Sequence, residues 1–377
     1  MTRYDDAIVG AGVLGLAHAY HLARRGRRVV VCERHPRAMS ASVRNFGMLW
    51  PIGQPAGTLR ELALASLSHW KKVLIDAGLW HDPCGSLHLA YHEDEAAVLR
   101  EFVDGEPGLQ LLSPAQVKAK SPFVQIDGLR AGVFSATEIC VDPRQVIAEL
   151  PAWLSRTFGV TFHFNERVLG CGTSSLQTYH QSLMADRVWV CSGEELQSLY
   201  PAIMGAWGLK RCKLQMLRSA TLAGGTRIGP MLAGGLTLRH YKSFAHCPSL
   251  ALVRERVTRE SPWFDDYGIH VMASQNGRGE VVIGDSHEYG LDAAEPFDRD
   301  DIDRLILDYL ATFLNVPDMR IAERWHGIYM KHPQVTYLVV QPEPGVTLIN
   351  GVGGNGMTLS FGLAEQTVSK ILGERST

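Results

Sequence analysis

An α/β domain with a parallel sheet, joined to an α+β domain with a mixed or antiparallel sheet, is the architecture that three stretches of the chain predict. The first is DDAIVGAGVLGLAHAYHLARRGRRVVVCERH at residues 5–35, which reads as strand, glycine turn, helix, strand and acid. The second is a later strand, glycine turn and helix, VTLINGVGGNGMTLSFG, from Val346. The third is a change of texture after Tyr200, toward longer strands with polar edges.

Size and composition set the frame. A chain of 377 residues has room for two domains. Hydrophobic residues at 46% against charged residues at 20% are an ordinary water-soluble balance. The net charge of -2 leaves no polybasic surface, so nucleic-acid binding is not expected. No apolar run approaches the ~18 residues that a membrane span needs, and the N-terminus enters a strand at Ala7 with no basic leader. A cytoplasmic monomer or homodimer without a membrane span is the expectation. The seven cysteines are scattered, with no CxxC, which fits reduced thiols rather than disulfides or zinc. The fifteen histidines show no ligand spacing either, so no metal is expected.

In the opening unit, Ala7-Ile8-Val9 leads into Gly10-Ala11-Gly12-Val13-Leu14-Gly15. Gly10 permits the tight turn, Gly12 lets a pyrophosphate approach the backbone, and Gly15 allows helix and strand to pack closely. Val13 and Leu14 open a helix whose free N–H groups face the phosphates. That helix stops near Gly26, and the strand Val29-Val30-Val31 ends at Glu33, eighteen residues after Gly15. Glu33 can accept both hydroxyls of an adenosine ribose and disfavours a 2′-phosphate, so NADP fits least among the dinucleotides.

Residues 56–78 then read as a helix with Leu59, Ala63, Leu67, Trp70 and Leu74 on one face. Ser86 to Tyr91 alternates like a strand, and Glu93 to Glu101 and Ser113 to Lys120 read as surface helices. Asp142 caps a helix that runs to about Phe158, with Pro143 in its first turn. Val160 to Phe164 and Ala185 to Val190 are strands, the latter ending at the small turn Ser192-Gly193. In the later region Lys213 to Leu217, Thr237 to Tyr241, Ile269 to Ala273 and Glu280 to Gly284 read as strands. Asp298 to Phe313 is an amphipathic helix, and Arg320 to Met330 is extended.

The C-terminal unit narrows the cofactor. An NAD-dependent enzyme has no special need of a second glycine turn, whereas a flavin needs a separate backing for its ring. Free N–H groups near Met357 and Thr358 can stabilise negative charge on a reduced ring. NAD-dependent dehydrogenation is therefore the less favoured alternative.

Taken together, Ile8-Val9-Gly10-Ala11-Gly12 with Glu33, Val141-Asp142-Pro143, Val188 to Gly193 and Gly351 to Thr358 resemble the D-amino acid oxidase/glycine oxidase/sarcosine oxidase superfamily. The resemblance covers about residues 5–373. It implies a glutathione-reductase-like FAD-binding domain from residues 1–48, 140–200 and 320–377, with a substrate domain from 49–139 and 201–319. By position it places FAD on Gly10, Gly12, Gly15, Glu33 and Arg34, on Ser42, Arg44 and Asn45, on the backbone of Val168, and on Ser192-Gly193. The C-terminal turn adds Gly353, Gly354, Asn355, Gly356, Met357 and Thr358. Sarcosine oxidase anchors its flavin through a cysteine whose position is Gly327 here, so the resemblance implies non-covalent FAD. Its substrate-carboxylate lysine falls near Thr358, and its oxygen-activating lysine at Val282. A narrower stretch, Ser42 to Gln54, is similar to a bacterial branch associated with 2-aminoethylphosphonate catabolism.

The implied activity is oxidation of a small primary or secondary amine, such as 2-aminoethylphosphonate or its N-methyl derivative, with O2 reduced to H2O2. Glycine or sarcosine as substrate, a dehydrogenase using another acceptor, and a non-catalytic FAD-binding accessory protein are the alternatives. Flavin carries the hard step, so the chain has to supply geometry and electrostatics. No acid–base pair or nucleophile motif stands out. The candidates for the substrate pocket are His326 and Tyr329 over the flavin, Arg239 and His240 at a strand end, Trp50 as a wall, and His270 and His287 near second-domain strands. Arg44 can serve either the FAD phosphates or the substrate.

Overall fold

The computed structural model describes residues 3–290, 293 and 295–374. Its first sheet has eight strands built on Arg3–Val9, which lies between Ser182–Val190 and Val29–Glu33 in parallel register. Thr161–Phe164 extends the sheet beyond Val29–Glu33, and Val346–Asn350 runs parallel to Ser182–Val190 on the other side. These strands are near-continuous apolar runs because both of their faces are covered. On one face Val13–Ala23, Pro143–Phe158 and Gly356–Leu372 pack into a core with Leu16, Tyr20, Trp189 and Phe361. The other face carries Ala7, Val9, Val30 and Val190 against the hairpin Val168–Gly172/Ser175–Thr178.

Asp142 caps its helix as expected, its Oδ1 accepting from the amides of Arg144 (3.0 Å) and Gln145 (3.2 Å). The helix Thr58–Ala77 lies in the middle segment but packs on Gly356–Leu372, with Leu67, Trp70 and Leu74 in the first domain's core. A Cβ at Gly362 would lie 2.5 Å from Leu62 O, so the two helices touch backbone to backbone.

The second sheet has nine strands and is mixed. Met231–Ala233 runs parallel to Ser86–Ala90, and the other pairings are antiparallel. Lys210–Ser219 is its spine, paired along its whole length with Ile321–Lys331. Two expectations need correction. Ile321–Lys331 belongs to the second sheet, not with the rest of 320–377 in the first domain. Thr237 to Tyr241 is not a strand but a helical turn, Thr237–His240. The Thr237 hydroxyl donates to Gly234 O at 2.6 Å and its amide to the same oxygen at 3.0 Å, closing the chain after two glycines. Tertiary hydrogen bonding overrides the β-propensity of the LTLRHY run.

Among the described residues no helix is long and apolar enough to cross a membrane, and all seven cysteines are free thiols.

Candidate active site

The two sheets face each other across one cavity, and both glycine turns open into it. The first turn is tightly built. Gly10 sits at φ +97°, and a Cβ at Gly15 would lie 1.9 Å from Gly10 O. Glu33 is buried at the strand end, where Oε2 accepts from the Ala11 amide at 3.0 Å and Oε1 from the His35 amide at 3.1 Å. Ser42 Oγ accepts from the Val13 amide at 3.0 Å. Gly12, at the N-cap of Val13–Ala23, brings no side-chain cap, and Ser42 takes the Val13 amide, so the helix offers the cavity its dipole and the first-turn amides beyond Val13.

The second turn closes the opposite side. Asn355 Oδ1 accepts from Gln54 Nε2 at 2.7 Å, and Thr358 Oγ1 accepts from the Trp50 amide at 3.0 Å. Trp70 Nε1 donates to Met357 O at 2.8 Å from beneath. Between the turns, Asn350 Nδ2 donates to Gly193 O at 2.8 Å, while the buried Ser192 Oγ has no protein partner. Asn45 holds its own loop, accepting from the Gly47 amide at 2.8 Å.

The second domain supplies the far wall. His240, His270 and His287 come together there, with ring centroids 3.8, 4.6 and 5.1 Å apart. Asp285 joins them, with Oδ1 at 3.1 Å from His270 Nε2 and 3.8 Å from His287 Nδ1. Burial pushes His270 well below the usual imidazole range and His287 down to about 4, while His240 is the exposed member of the group. The same burial pushes the Asp285 carboxyl well up. Tyr329 stands beside this group, its hydroxyl also pushed well up by burial, and faces the Gly353-Gly354 turn. Trp50 lies against Tyr241 at 6.3 Å between centroids. Three cationic side chains, Arg44, Lys242 and Lys331, line the same cavity.

Most of the sequence-predicted residues thus line this cavity; Gly10, Gly15 and Glu33 build the first turn behind it, and four others lie elsewhere. His326 faces a separate cleft, its Nδ1 2.6 Å from Asp298 Oδ1, because the strand's period of two puts it on the face opposite Tyr329. Arg239 is turned away from the cavity and ion-pairs with Asp265. Arg34 is likewise held by Glu195, and Val168 is buried in the outer hairpin, away from the cavity lining. Sequence reading missed Asp285, Tyr241, Lys242, Lys331 and Gln54. For Asp285 the available signal was its place one residue beyond the strand Val281–Gly284. The histidine group had no local signal, since its members lie thirty and seventeen residues apart. Their ligand atoms fall within 4.8 Å of one another, a grouping that the expectation of scattered histidines did not foresee.

A family model described as "FAD dependent oxidoreductase" matches residues 5–370. The chain belongs to this family. The oxidoreductase is also similar, at 27% identity over 79% of its length, to 39% of a tRNA 5-methylaminomethyl-2-thiouridine biosynthesis bifunctional protein from Pseudomonas entomophila. Over 51% of its length it is 24% identical to 24% of the mitochondrial dimethylglycine dehydrogenase of Rattus norvegicus. It therefore spans less than two-fifths of either relative. Among solved structures, glycine oxidase from Geobacillus kaustophilus superposes with a TM-score of 0.79 at 18% identity, covering 100% of this chain and 96% of that one. L-proline dehydrogenase from P. horikoshii gives 0.80 at 17%, covering 99% and 95%. At these identities the likeness is one of fold, the FAD-binding Rossmann-like domain with a mixed-sheet second domain.

The residues present fit FAD. The helix N-terminus beyond Val13, the close approach allowed at Gly12 and the orphaned Ser192 hydroxyl are what a pyrophosphate and ribose would occupy. FAD supplies a two-electron acceptor when bound, and it is held non-covalently. Gly10, Gly12, Val13, Leu14 and Glu33 would hold the adenosine half. Gly353 to Thr358 would back the ring, where the uncapped N-terminus of Gly356–Leu372 favours negative charge. Arg44 is fixed by donating to His326 O at 3.1 Å, which holds its guanidinium at the cavity edge.

Proposed function

We propose that the oxidoreductase converts a small primary or secondary amine bearing an anionic group to an imine, with O2 as the electron acceptor. The observation that carries this reading is the two-sided cavity wall. Three imidazoles and the Asp285 carboxyl gather in one group, while Lys242 and Lys331 line the same space. An amine end and an acidic end of one small molecule match these two chemistries. Glycine oxidase and iminodiacetate oxidase among the structural neighbours support an amino-acid-type substrate such as glycine or sarcosine.

A second reading is an aminophosphonate, such as 2-aminoethylphosphonate or its N-methyl derivative. Three cationic side chains in one cavity favour it, because a phosphonate carries more negative charge than a carboxylate. Dehydrogenases also occur among the relatives, and they support a carrier or quinone as the alternative acceptor.

The test is anaerobic mixing of the FAD-loaded protein with glycine, sarcosine, 2-aminoethylphosphonate and its N-methyl derivative, following the visible flavin absorbance. Bleaching by the amino acids supports the first reading, and bleaching by the phosphonates alone supports the second. Fast recovery on readmitting air identifies an oxidase, and slow recovery a dehydrogenase. A flavin that none of the four bleaches overturns the amine assignment.

A further inference from the structure

We propose that Asp285, with His270 beside it, takes up the proton of the substrate's ammonium group, so that the amine reacts as its free base. This rests on the amine-oxidation reading above and assigns the part of the wall that performs it.

Asp285 is held rigidly. Its amide donates to His270 O at 2.8 Å, and the His270 amide donates back to Asp285 O at 3.3 Å. The carboxyl is 6% exposed and lines the cavity. Oδ1 has His270 Nε2 3.1 Å away but outside hydrogen-bond geometry, and His270 Nδ1, also buried, has no partner. Orphaned polar atoms inside a protein cost about 1–3 kcal/mol each, so a pair of them lining one cavity marks a place where a ligand completes the bonding. His287 is different, because its Nδ1 is within hydrogen-bond reach of Gly268 O at 3.1 Å. An incoming group that satisfies Asp285 and His270 must bring N–H donors. An alkylammonium brings two or three and carries no acceptor, whereas an anionic group would face the carboxyl. The anionic end therefore belongs toward Lys242 and Lys331.

The groups facing Asp285 come from several elements. Tyr329 and Lys331 lie on Ile321–Lys331, Cys212 on Lys210–Ser219, and Tyr289 with His287 on the chain just beyond Asp285. Tyr241 and His240 come from the Thr237–His240 turn, and His270 from before Met272–Gln275. Among these, Lys331 carries the fixed charge, and it opposes protonation of His270 while favouring an ionised Asp285. Burial outweighs it at both Asp285 and His270 and favours their neutral forms.

The proton balance follows. A substrate that enters as R–CH2–NH3+ beside the carboxylate transfers one N–H proton to Asp285, giving R–CH2–NH2 and the carboxylic acid. Burial penalises both charges of the starting pair, so the neutral pair is favoured. The free nitrogen lone pair then forms the C=N bond as the adjacent C–H bond breaks. The hydride's two electrons go to the flavin, leaving R–CH=NH2+. If Asp285 begins protonated, its first proton leaves to solvent as the ammonium arrives.

The experiment is anaerobic stopped-flow reduction of FAD-loaded wild type and D285N between pH 6.5 and 10, using an amine that reduces the wild type. The wild type is expected to show a shallow pH dependence of the reduction rate over Kd. D285N, with flavin content unchanged, is expected to be about 1000-fold slower at pH 7. Its deficit should shrink about tenfold per pH unit toward the ammonium pKa near ~10, because only pre-formed free base then reacts. A D285N rate within threefold of wild type at pH 7, or a deficit independent of pH, overturns the assignment. Should D285N fail to load flavin, the wild type decides alone, since a unit slope tracking the free amine means no group in the site takes the proton. One equivalent of zinc per chain in the purified holoenzyme would also overturn it, because the metal would take the same donor atoms. If no amine reduces the wild type, the amine-oxidation reading itself has failed, which is a different result from any of these.

Discussion

Gly15 is the residue at which a single methyl group meets the most resistance. Its Cβ would lie 1.9 Å from Gly10 O, a backbone atom that cannot swing away. G15A is expected to lower stability by about 2–4 kcal/mol and to leave the protein short of flavin, read from thermal melting and visible absorbance. Buried histidines make the second prediction at this scale. His18 and His88 are held neutral by burial, with pKa values pushed down to about 4 and about 3. In the unfolded chain each takes its proton near 6.5. Stability is therefore full above that value and falls as pH drops through 6.5 toward the folded values, by about 3–5 kcal/mol per residue at the acid end. Neither ring nitrogen of His88 has a partner, and the ring packs between Trp50 and Phe244. H88F is expected to flatten the fall in melting temperature between pH 7.5 and 5, and an unchanged slope would refute this account.

At the scale of elements, the helix Thr58–Ala77 is the support under the C-terminal turn. Trp70 is fully buried, and its indole N–H fixes Met357 O at 2.8 Å. W70F keeps most of the packing and loses that bond, which is expected to cost about 1 kcal/mol in a denaturant melt and to speed FAD release. G362A is expected to cost more, because its Cβ meets Leu62 O at 2.5 Å and forces the two helices apart. The strand Ile321–Lys331 shows how one element divides its work. Its alternation sends Tyr329 toward the Gly353-Gly354 turn and His326 to Asp298 on the other face. H326A is expected to leave the rate of flavin reduction within about threefold of wild type, whereas a loss near tenfold would place His326 in the chemistry after all.

At the scale of the whole molecule, the two sheets enclose one cavity whose lining comes from both. A cofactor held there bridges the domains, so its binding free energy adds to folding. Melting temperature is expected to rise with added FAD, with a gain of about 2.7 kcal/mol when free FAD is 100 times its Kd. A melting temperature independent of FAD concentration would argue that one domain unfolds without releasing it.

The sequence by itself determined the opening unit of the first domain, though not that domain's extent. A strand, a glycine turn, a helix and an acid at Glu33 lie within residues 5–35, so the period of the apolar residues and the glycine spacing carry their own meaning. The same holds for Val346 to Thr358, and for the helix that Asp142 caps. Tertiary structure decided the substrate wall. His240, His270, Asp285 and His287 share no helical or strand period, and they meet only because the turn Thr237–His240 folds back against the end of Val281–Gly284. Which way Arg239 or His326 points was likewise settled by partners, Asp265 and Asp298, brought in from other parts of the chain. Local spacing encodes contacts made within a few residues of one another. A site assembled across thirty or more residues is encoded in the packing of the sheets, and that packing is a property of the folded whole.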